Sequence, residues 1–221
     1  MTFDAHTHHL PEKADSAIFS CCMYDSPLPD NVVFLAAGIH PWHLSEEDFP
    51  MQMKWIENIL ADKRIVALGE SGLDKLCNTP FELQIKAFHF IITLSEQEKL
   101  PVFIHCVKAF NEIIALKKSL KPKQSWIIHG FRGKKELAES LIRNGFILSF
   151  GEKYHPEALQ SVPKGHYLLE TDNSNADISF LYEKAAATRK IPCKVLTKEI
   201  KETVDKLFFN RIKNSLFGKK S

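Results

Sequence analysis

Short apolar runs recur along the chain, and most are separated by longer stretches with helical periodicity. The runs cover residues 1–8, 17–22, 32–38, 65–70, 101–105, 125–129, 146–150 and 167–172. Few of them alternate apolar with polar positions, which is typical of strands buried on both faces of a parallel sheet. The pattern therefore predicts eight parallel strands.

Helical patterns occupy residues 46–62, 81–99, 109–120, 134–144, 178–190 and 197–217. A crossover between parallel strands normally needs a dozen or more residues. The links before the second and third strands are short, so the first two helices are expected to be truncated or absent. Strands that alternate with helices in this way predict an α/β fold, a TIM-like (β/α) barrel with shortened first helices. No linker or repeat divides the chain, so we expect one domain over residues 1–221.

Side chains that can bind metal recur where the predicted strands end. His6 and His8 stand two residues apart, so their side chains share one face of the first strand. Because function in such barrels sits at the carboxyl ends of the strands, these side chains are expected at one edge. The full set is His6, His8, His40, Glu70, His105, His129 and Asp172.

This set exceeds the needs of a structural zinc site, which uses four ligands. It suits two divalent ions, and zinc, manganese, nickel and magnesium all accept such ligands to different degrees. Two metals close together suit phosphoester hydrolysis, with Asp172 orienting or deprotonating the attacking water. The assignment places His6, His8, Glu70 and Asp172 around one ion, with Glu70 bridging to a second ion held by His105 and His129.

Each ligand also has a plain structural interpretation. His105 suits a buried core position and His129 a turn, while Asp172 can cap the helix that follows and Glu70 can pair with a lysine. Agreement in position over several strand ends favours the metal site over four separate coincidences.

Composition adds limits to this picture. The 221 residues are 44% apolar and 25% charged, and the net charge of +2 provides no broad basic face for a nucleic-acid duplex. Five cysteines without a CxxC pair or a leader segment indicate a reducing cytoplasm. No apolar run approaches the length of a membrane span, and a monomer is expected.

The matching motifs give the chain a resemblance to the TatD family of metal-dependent hydrolases. They lie at residues 3–8, 38–42, 69–74, 84–88, 101–106, 129–133, 149–151, 169–172 and 210–217. The resemblance implies a TIM-like barrel, a divalent-metal site and deoxyribonuclease activity. All six metal-binding positions of the family fall on suitable residues here, namely His6, His8, Glu70, His105, His129 and Asp172.

The chain departs from the family pattern near the expected substrate. Val107 and Lys108 replace the usual arginine and aspartate, Ser174 replaces a proline, and Lys75 replaces an aromatic residue. Arg132 adds a charge beside His129. These changes are expected to affect substrate binding more than the metal chemistry.

We therefore expect a metal-dependent hydrolase that cleaves phosphodiester bonds at single-stranded DNA ends, with Asp172 and Glu70 as catalytic residues. Lys75, Lys108 and Arg132 would form a local basic rim, and Trp42 and Phe131 could stack a base or pack in the fold. The alternatives are a small-molecule phosphoesterase, an amidohydrolase, and a metal-binding protein without turnover. Many binuclear amidohydrolases use a modified lysine on strand four, where this chain has Glu70.

Overall fold

Eight parallel strands follow one another in chain order around a nearly closed barrel. The computed structural model describes residues 2–25 and 27–209. Neighbours in the sheet are also neighbours in the chain, so the predicted TIM-like barrel is confirmed. The strands are β1 Asp4–Thr7, β2 Ala17–Cys21, β3 Phe34–Ala37, β4 Ile65–Asp74, β5 Val102–Val107, β6 Trp126–Ile128, β7 Ile147–Phe150 and β8 Tyr167–Leu169.

Helices follow most of the strands. In the described ranges they are α1 Phe49–Ile59, α2 Phe81–Glu98, α3 Phe110–Leu120, α4 Lys135–Arg143, α5 Pro156–Ser161, α6 Ile178–Arg189 and α7 Cys193–Val204. Among the described residues no helix separates β1 from β2, and only a 3-10 turn, Met23–Asp25, lies between β2 and β3. The expected loss of the first two helices is thus confirmed.

The clearest differences from the sequence prediction involve three elements. Strand β4 continues past Glu70 to Asp74, because Ser71–Asp74 pairs with Ile104–Val107 of β5. Helix α5 has only six residues, too few for a periodic signal. Helix α7 begins at Cys193 rather than at residue 197, and a π-helical turn, Asp205–Phe209, follows it. The rest of the predicted tail helix and the motif at residues 210–217 lie outside the described residues.

The core forms where apolar strands meet the apolar faces of the helices. Leu35, Leu68, Phe103 and Phe150 in the strands are completely buried. Helix α2 buries residues at helical spacing, among them Leu83, Ala87, Phe88, Ile91 and Leu94. Full burial of one such side chain stabilises the fold by roughly 1.5–3 kcal/mol. No helix in the described ranges is long and apolar enough to cross a membrane.

The seam between the first and last strands brings the two ends of the barrel together. Thr7 and Asp172 form a parallel bridge, in which the Asp172 amide donates to the His6 carbonyl and the His8 amide donates to the Asp172 carbonyl. Beneath it, the Asp4 carboxylate accepts from the Thr171 amide at 3.0 Å and from the Thr171 hydroxyl at 2.6 Å. This contact between Asp4 and Thr171, called the seam clasp below, fixes β1 against the segment that carries Asp172.

Candidate metal centre

The predicted ligands converge at the carboxyl end of the barrel, where Glu70 occupies the centre. One carboxylate oxygen, Oε1, lies 2.7 Å from the Nε2 atoms of both His6 and His8. The other oxygen, Oε2, faces Nε2 of His129 at 3.0 Å, Nε2 of His40 at 3.3 Å and Nδ1 of His105 at 3.7 Å. Glu70 is thus a buried carboxylate with histidine nitrogens on both sides.

Two groups of donor atoms share this carboxylate. In each group the donor atoms lie within 4.8 Å of one another; the first contains His6, Glu70, His129 and Asp172, and the second His40, Glu70 and His105. His8 adjoins the first group, with its Nε2 atom 3.8 Å from Asp172 Oδ1. The structure therefore brings together all six predicted ligands and places Glu70 in both groups.

His129 adjoins both groups. Its Nε2 atom faces the same Glu70 oxygen as His105 Nδ1 and lies 3.5 Å from that atom, as the expected grouping requires, and its ring also lies within reach of His6 and Asp172. His40 had been noted at a strand end without a role, and it joins Glu70 and His105. The position of His40 at a strand end already marked it as a possible ligand. Whether it joins Glu70 and His105 in the second group depends on how closely β3 approaches β4.

Local backbone features allow this convergence. A Cβ on Gly38 would overlap the backbone carbonyl of Glu70, so glycine permits the close approach of the residues after β3 to β4. Asp172 has φ of 56°, in the left-handed region that non-glycine residues seldom adopt. Such conformations cluster at functional sites, where the surrounding structure holds them in place.

The charges in the site depend on one another. Burial alone would raise the pKa of Glu70, but the positive charge of His129 and His6 holds it well below its usual value. Burial would lower the pKa of His129, but the carboxylates of Glu70 and Glu170 raise it well above its usual value. For His40 burial dominates and lowers the pKa, so its imidazole is neutral near pH 7 and has a lone pair available for a metal.

These donors fit divalent cations. The buried Glu70 carboxylate is contacted by imidazole nitrogens, with no lysine or arginine ion pair on it among the described residues. Histidine and carboxylate together suit zinc and neighbouring divalent metals. The residues present can therefore hold metal ions on either side of Glu70.

Two further carboxylates lie behind the histidines and were not predicted. Asp74 Oδ2 is 3.2 Å from His105 Nε2, and Glu170 Oε1 is 3.5 Å from His129 Nδ1. Both had a signal in the sequence. Asp74 stands four residues after Glu70 on a strand, and Glu170 two residues before Asp172, so even spacing puts each pair on one face.

The residues expected to contact the substrate differ in their exposure to solvent and in their bonding partners. Trp42 is 62% exposed and is held by a bond from its indole nitrogen to Asp74 Oδ2 at 2.8 Å. Lys108 and Arg132 are exposed. Lys75 forms an ion pair with Glu112 of α3, so part of the positive charge of Lys75 is already neutralised.

Of the two roles expected for Phe131, the structure shows packing in the fold and contradicts base stacking. Its ring is only 1% exposed and packs edge-to-face against Phe110 and Phe150. Gly130, with φ of 55°, turns the chain inward, and the Phe131 amide bonds to the Ser149 carbonyl at 2.9 Å. Phe131 is therefore a core residue.

Two cavities open beside the centre and share Asp172 and Asn173. The first, of about 240 Å³, is lined by residues that include His8, His40, Trp42, Glu70, His105 and His129. The second, of about 250 Å³, is lined by residues that include Arg132, Glu152, Lys153, Glu170 and Ser174. Asp172 thus stands between a cavity with an aromatic wall and one lined by two cations together with the carboxylates of Glu152 and Glu170.

Known proteins share both the sequence pattern and the fold. The family model described as TatD related DNase matches residues 25–208. A metal-dependent hydrolase of Bacillus subtilis, named as uncharacterised, is 31% identical over 152 residues, which are 63% of this chain and 58% of that protein. The 3'-5' ssDNA/RNA exonuclease TatD of Erwinia tasmaniensis is 31% identical over 147 residues, which are 62% of this chain and 56% of the relative.

The chain therefore matches only a little over half the length of these two relatives. A crystal structure of a TatD homologue from Escherichia coli K12 has a TM-score of 0.76 and 18% identity, covering 94% of this chain and 97% of that one. That likeness shows a common fold. Because the family model spans most of the sequence, the chain belongs to the TatD related DNase family.

Proposed function

We propose that this protein is a divalent-metal-dependent nuclease that removes nucleotides from the 3' ends of single-stranded DNA. The observation that carries the proposal is the Glu70 carboxylate, whose two oxygens face separate groups of histidine nitrogens at 2.7–3.7 Å. Shared carboxylates of this kind suit pairs of metals that act on phosphodiesters. The direction of digestion is carried over from the name of the Erwinia relative.

The residues of the site have separate roles in this reaction. Divalent cations, when bound, supply positive charge that neutralises the phosphodiester and acidifies water. Histidine nitrogens and Glu70 hold those cations in place. Asp172, with 23% of its side chain exposed at the mouth, takes a proton from the attacking water. As the water oxygen bonds to phosphorus, the bond from phosphorus to the 3' oxygen of the shortened strand breaks, and that oxygen takes a proton from solvent at the open mouth.

The size of the mouth favours strand ends over duplex. A cavity of about 240 Å³ is comparable in size to a single nucleotide and far too small for a duplex. Trp42 forms an exposed wall of that cavity, and base stacking on an aromatic ring is tolerant of sequence. The terminal nucleotide therefore belongs in the cavity beside Trp42.

The rest of the strand belongs on the other side of Asp172. Arg132 and Lys153 line the second cavity there, and both are exposed at its rim. The two cations suit the next phosphates of the strand. Because few phosphates are neutralised, affinity should depend only weakly on salt concentration.

The test uses manganese-loaded protein with single-stranded DNA labelled at either end, and a circle of equal length. We expect a ladder that shortens from the 3' end, an intact circle and a shallow salt dependence. Glu70→Gln, prepared in parallel, should be inactive and controls for contaminating nucleases.

Other results would replace the proposal. Equal cutting of the circle would show internal attack, and early loss of a 5' label would reverse the direction. No cutting of DNA, with turnover of a generic phosphodiester or of an acyl amide, would favour the phosphoesterase or the amidohydrolase.

A further inference from the structure

Two carboxylates outside the donor groups contact the histidines on the sides that face away from Glu70. His105 presents Nδ1 to Glu70 and Nε2 to Asp74, at 3.7 and 3.2 Å. His129 presents its nitrogens the other way round, with Nε2 3.0 Å from Glu70 and Nδ1 3.5 Å from Glu170. The two rings therefore face the centre through different nitrogens.

Asp74 is rigidly held. It is 3% exposed, its Oδ1 accepts from the Leu76 amide at 2.8 Å, and its Oδ2 accepts from the Trp42 indole at 2.8 Å. Its backbone is fixed by Gln84, whose side chain accepts from the Asp74 amide at 2.7 Å and donates to its carbonyl at 3.0 Å. The carboxylate thus has one oxygen directed at His105 in a fixed orientation.

Glu170 is placed in the same way behind His129. Its side chain is completely buried, and its Oε1 accepts from the Gly130 amide, one residue after His129. Its Oε2 and the Nδ1 atom of His129 are both buried without a hydrogen-bond partner in the described structure. The His129 imidazole and the Glu170 carboxylate therefore face each other at 3.5 Å, and each still has a polar atom free to form a hydrogen bond.

We propose that Asp74 and Glu170 are positioning residues that fix opposite tautomers in the two histidines. Asp74 holds the proton of His105 on Nε2, which leaves Nδ1 as the metal ligand. Glu170 holds the proton of His129 on Nδ1, which leaves Nε2 as the ligand. Carboxylates that accept from the second nitrogen of a ligating histidine orient the ring and raise its basicity. The inference rests on the metal site of the proposed function, but not on its substrate.

The experiment is nitrogen–proton correlation NMR of the histidine rings in zinc-loaded protein, which reports which nitrogen is protonated and which binds zinc. We expect Nδ1 coordination for His105 and Nε2 coordination for His129. Single substitutions Asp74→Asn and Glu170→Gln should each alter the signals of their own histidine and leave those of the other ring in place. Each should weaken zinc binding by about 10–100-fold.

Glu199→Gln is the matched control. Glu199 accepts from the Tyr167 hydroxyl at 2.7 Å and contacts neither histidine, so its substitution should change neither the ring signals nor zinc affinity. Coordination of His105 through Nε2, or of His129 through Nδ1, would overturn the inference even if a substituted protein failed to fold. Unchanged ring signals in Asp74→Asn would overturn it as well. Because NMR reads the rings without substrate, absence of nuclease activity alone would count against the proposed function only.

Discussion

Removing the hydroxyl of Thr171 should open the seam of the barrel beside the metal centre. Thr171→Val keeps the shape of the side chain but deletes an oxygen that lies 2.6 Å from Asp4 Oδ2 and 2.9 Å from the Thr7 hydroxyl. The amide bond from Thr171 to Asp4 Oδ1 at 3.0 Å remains. The substitution therefore weakens the seam clasp without abolishing it.

The size of the effect follows from the charge of Asp4. Burial raises the pKa of Asp4 to about 7, so at pH 8 the Thr171 hydroxyl donates to a carboxylate. A bond to a charged group contributes roughly 1.5–3 kcal/mol, and we expect a loss of about 2 kcal/mol in the free energy of unfolding. In a protein of this size that corresponds to a fall in Tm of about 4–8 °C.

Thr203→Val provides the control for the same chemical change. Thr203 is 3% exposed, and its hydroxyl donates to the Glu199 carbonyl within α7 at 2.9 Å. That neutral bond contributes about 1 kcal/mol or less. Denaturant and thermal unfolding at pH 8 compare the two variants, and zinc titration follows. Thr171→Val alone should also weaken zinc binding, because Asp172 and His6 are bonded across the seam.

Equal destabilisation of the two variants would refute the reasoning. The same holds if Thr171→Val lost stability but bound zinc as tightly as the unsubstituted protein. In that case the seam clasp would support the fold without controlling the position of Asp172.

Three further predictions concern single side chains. Trp42→Leu should raise KM for a single-stranded oligonucleotide by about 5–150-fold, because stacking contributes about 1–3 kcal/mol per base. Trp42→Phe should restore most of the lost affinity. Equal KM values for Trp42→Leu and the unsubstituted protein in steady-state assays would contradict the stacking role. Asp172→Asn should lower kcat about 10²–10⁴-fold with an unchanged circular dichroism spectrum, and wild-type turnover would contradict its role as base. Lys117 lies over the Trp126 and Phe146 rings, and burial lowers its pKa to about 8. A charged Lys117 therefore costs stability below pH 8, and the cost fades toward pH 10.5. Lys117→Met should stabilise the protein by about 1–2 kcal/mol at pH 7. This gain is smaller than the pKa shift alone implies, because the aromatic rings stabilise the lysine cation. Denaturant unfolding that shows the same gain at pH 10.5 would count against this reasoning.

Much of the fold was predictable because the relevant pattern is local. Apolar runs without alternation define buried parallel strands, and the carboxyl ends of such strands share one edge of a barrel. The sequence alone therefore predicts that His6, Glu70, His105 and Asp172 lie together.

The remaining features depend on contacts that are distant in the chain. Lys75 pairs with Glu112, 37 residues away, and no pattern around Lys75 indicates that partner. The inward turn of Phe131 depends on the backbone at Gly130 and on its bond to Ser149. The place of His40 depends on how closely the chain after β3 approaches β4. Side-chain direction at strand ends is thus set by packing, which the sequence pattern does not report.

Glu70 is the proposed shared ligand of two metal ions. Anomalous diffraction from crystals soaked in manganese measures this directly, because it locates the ions without reference to activity. We expect two anomalous peaks, one near each oxygen of the Glu70 carboxylate, and neither peak in crystals of Glu70→Gln soaked in the same way. No peak at the centre, or two peaks of full strength in Glu70→Gln, would contradict the account.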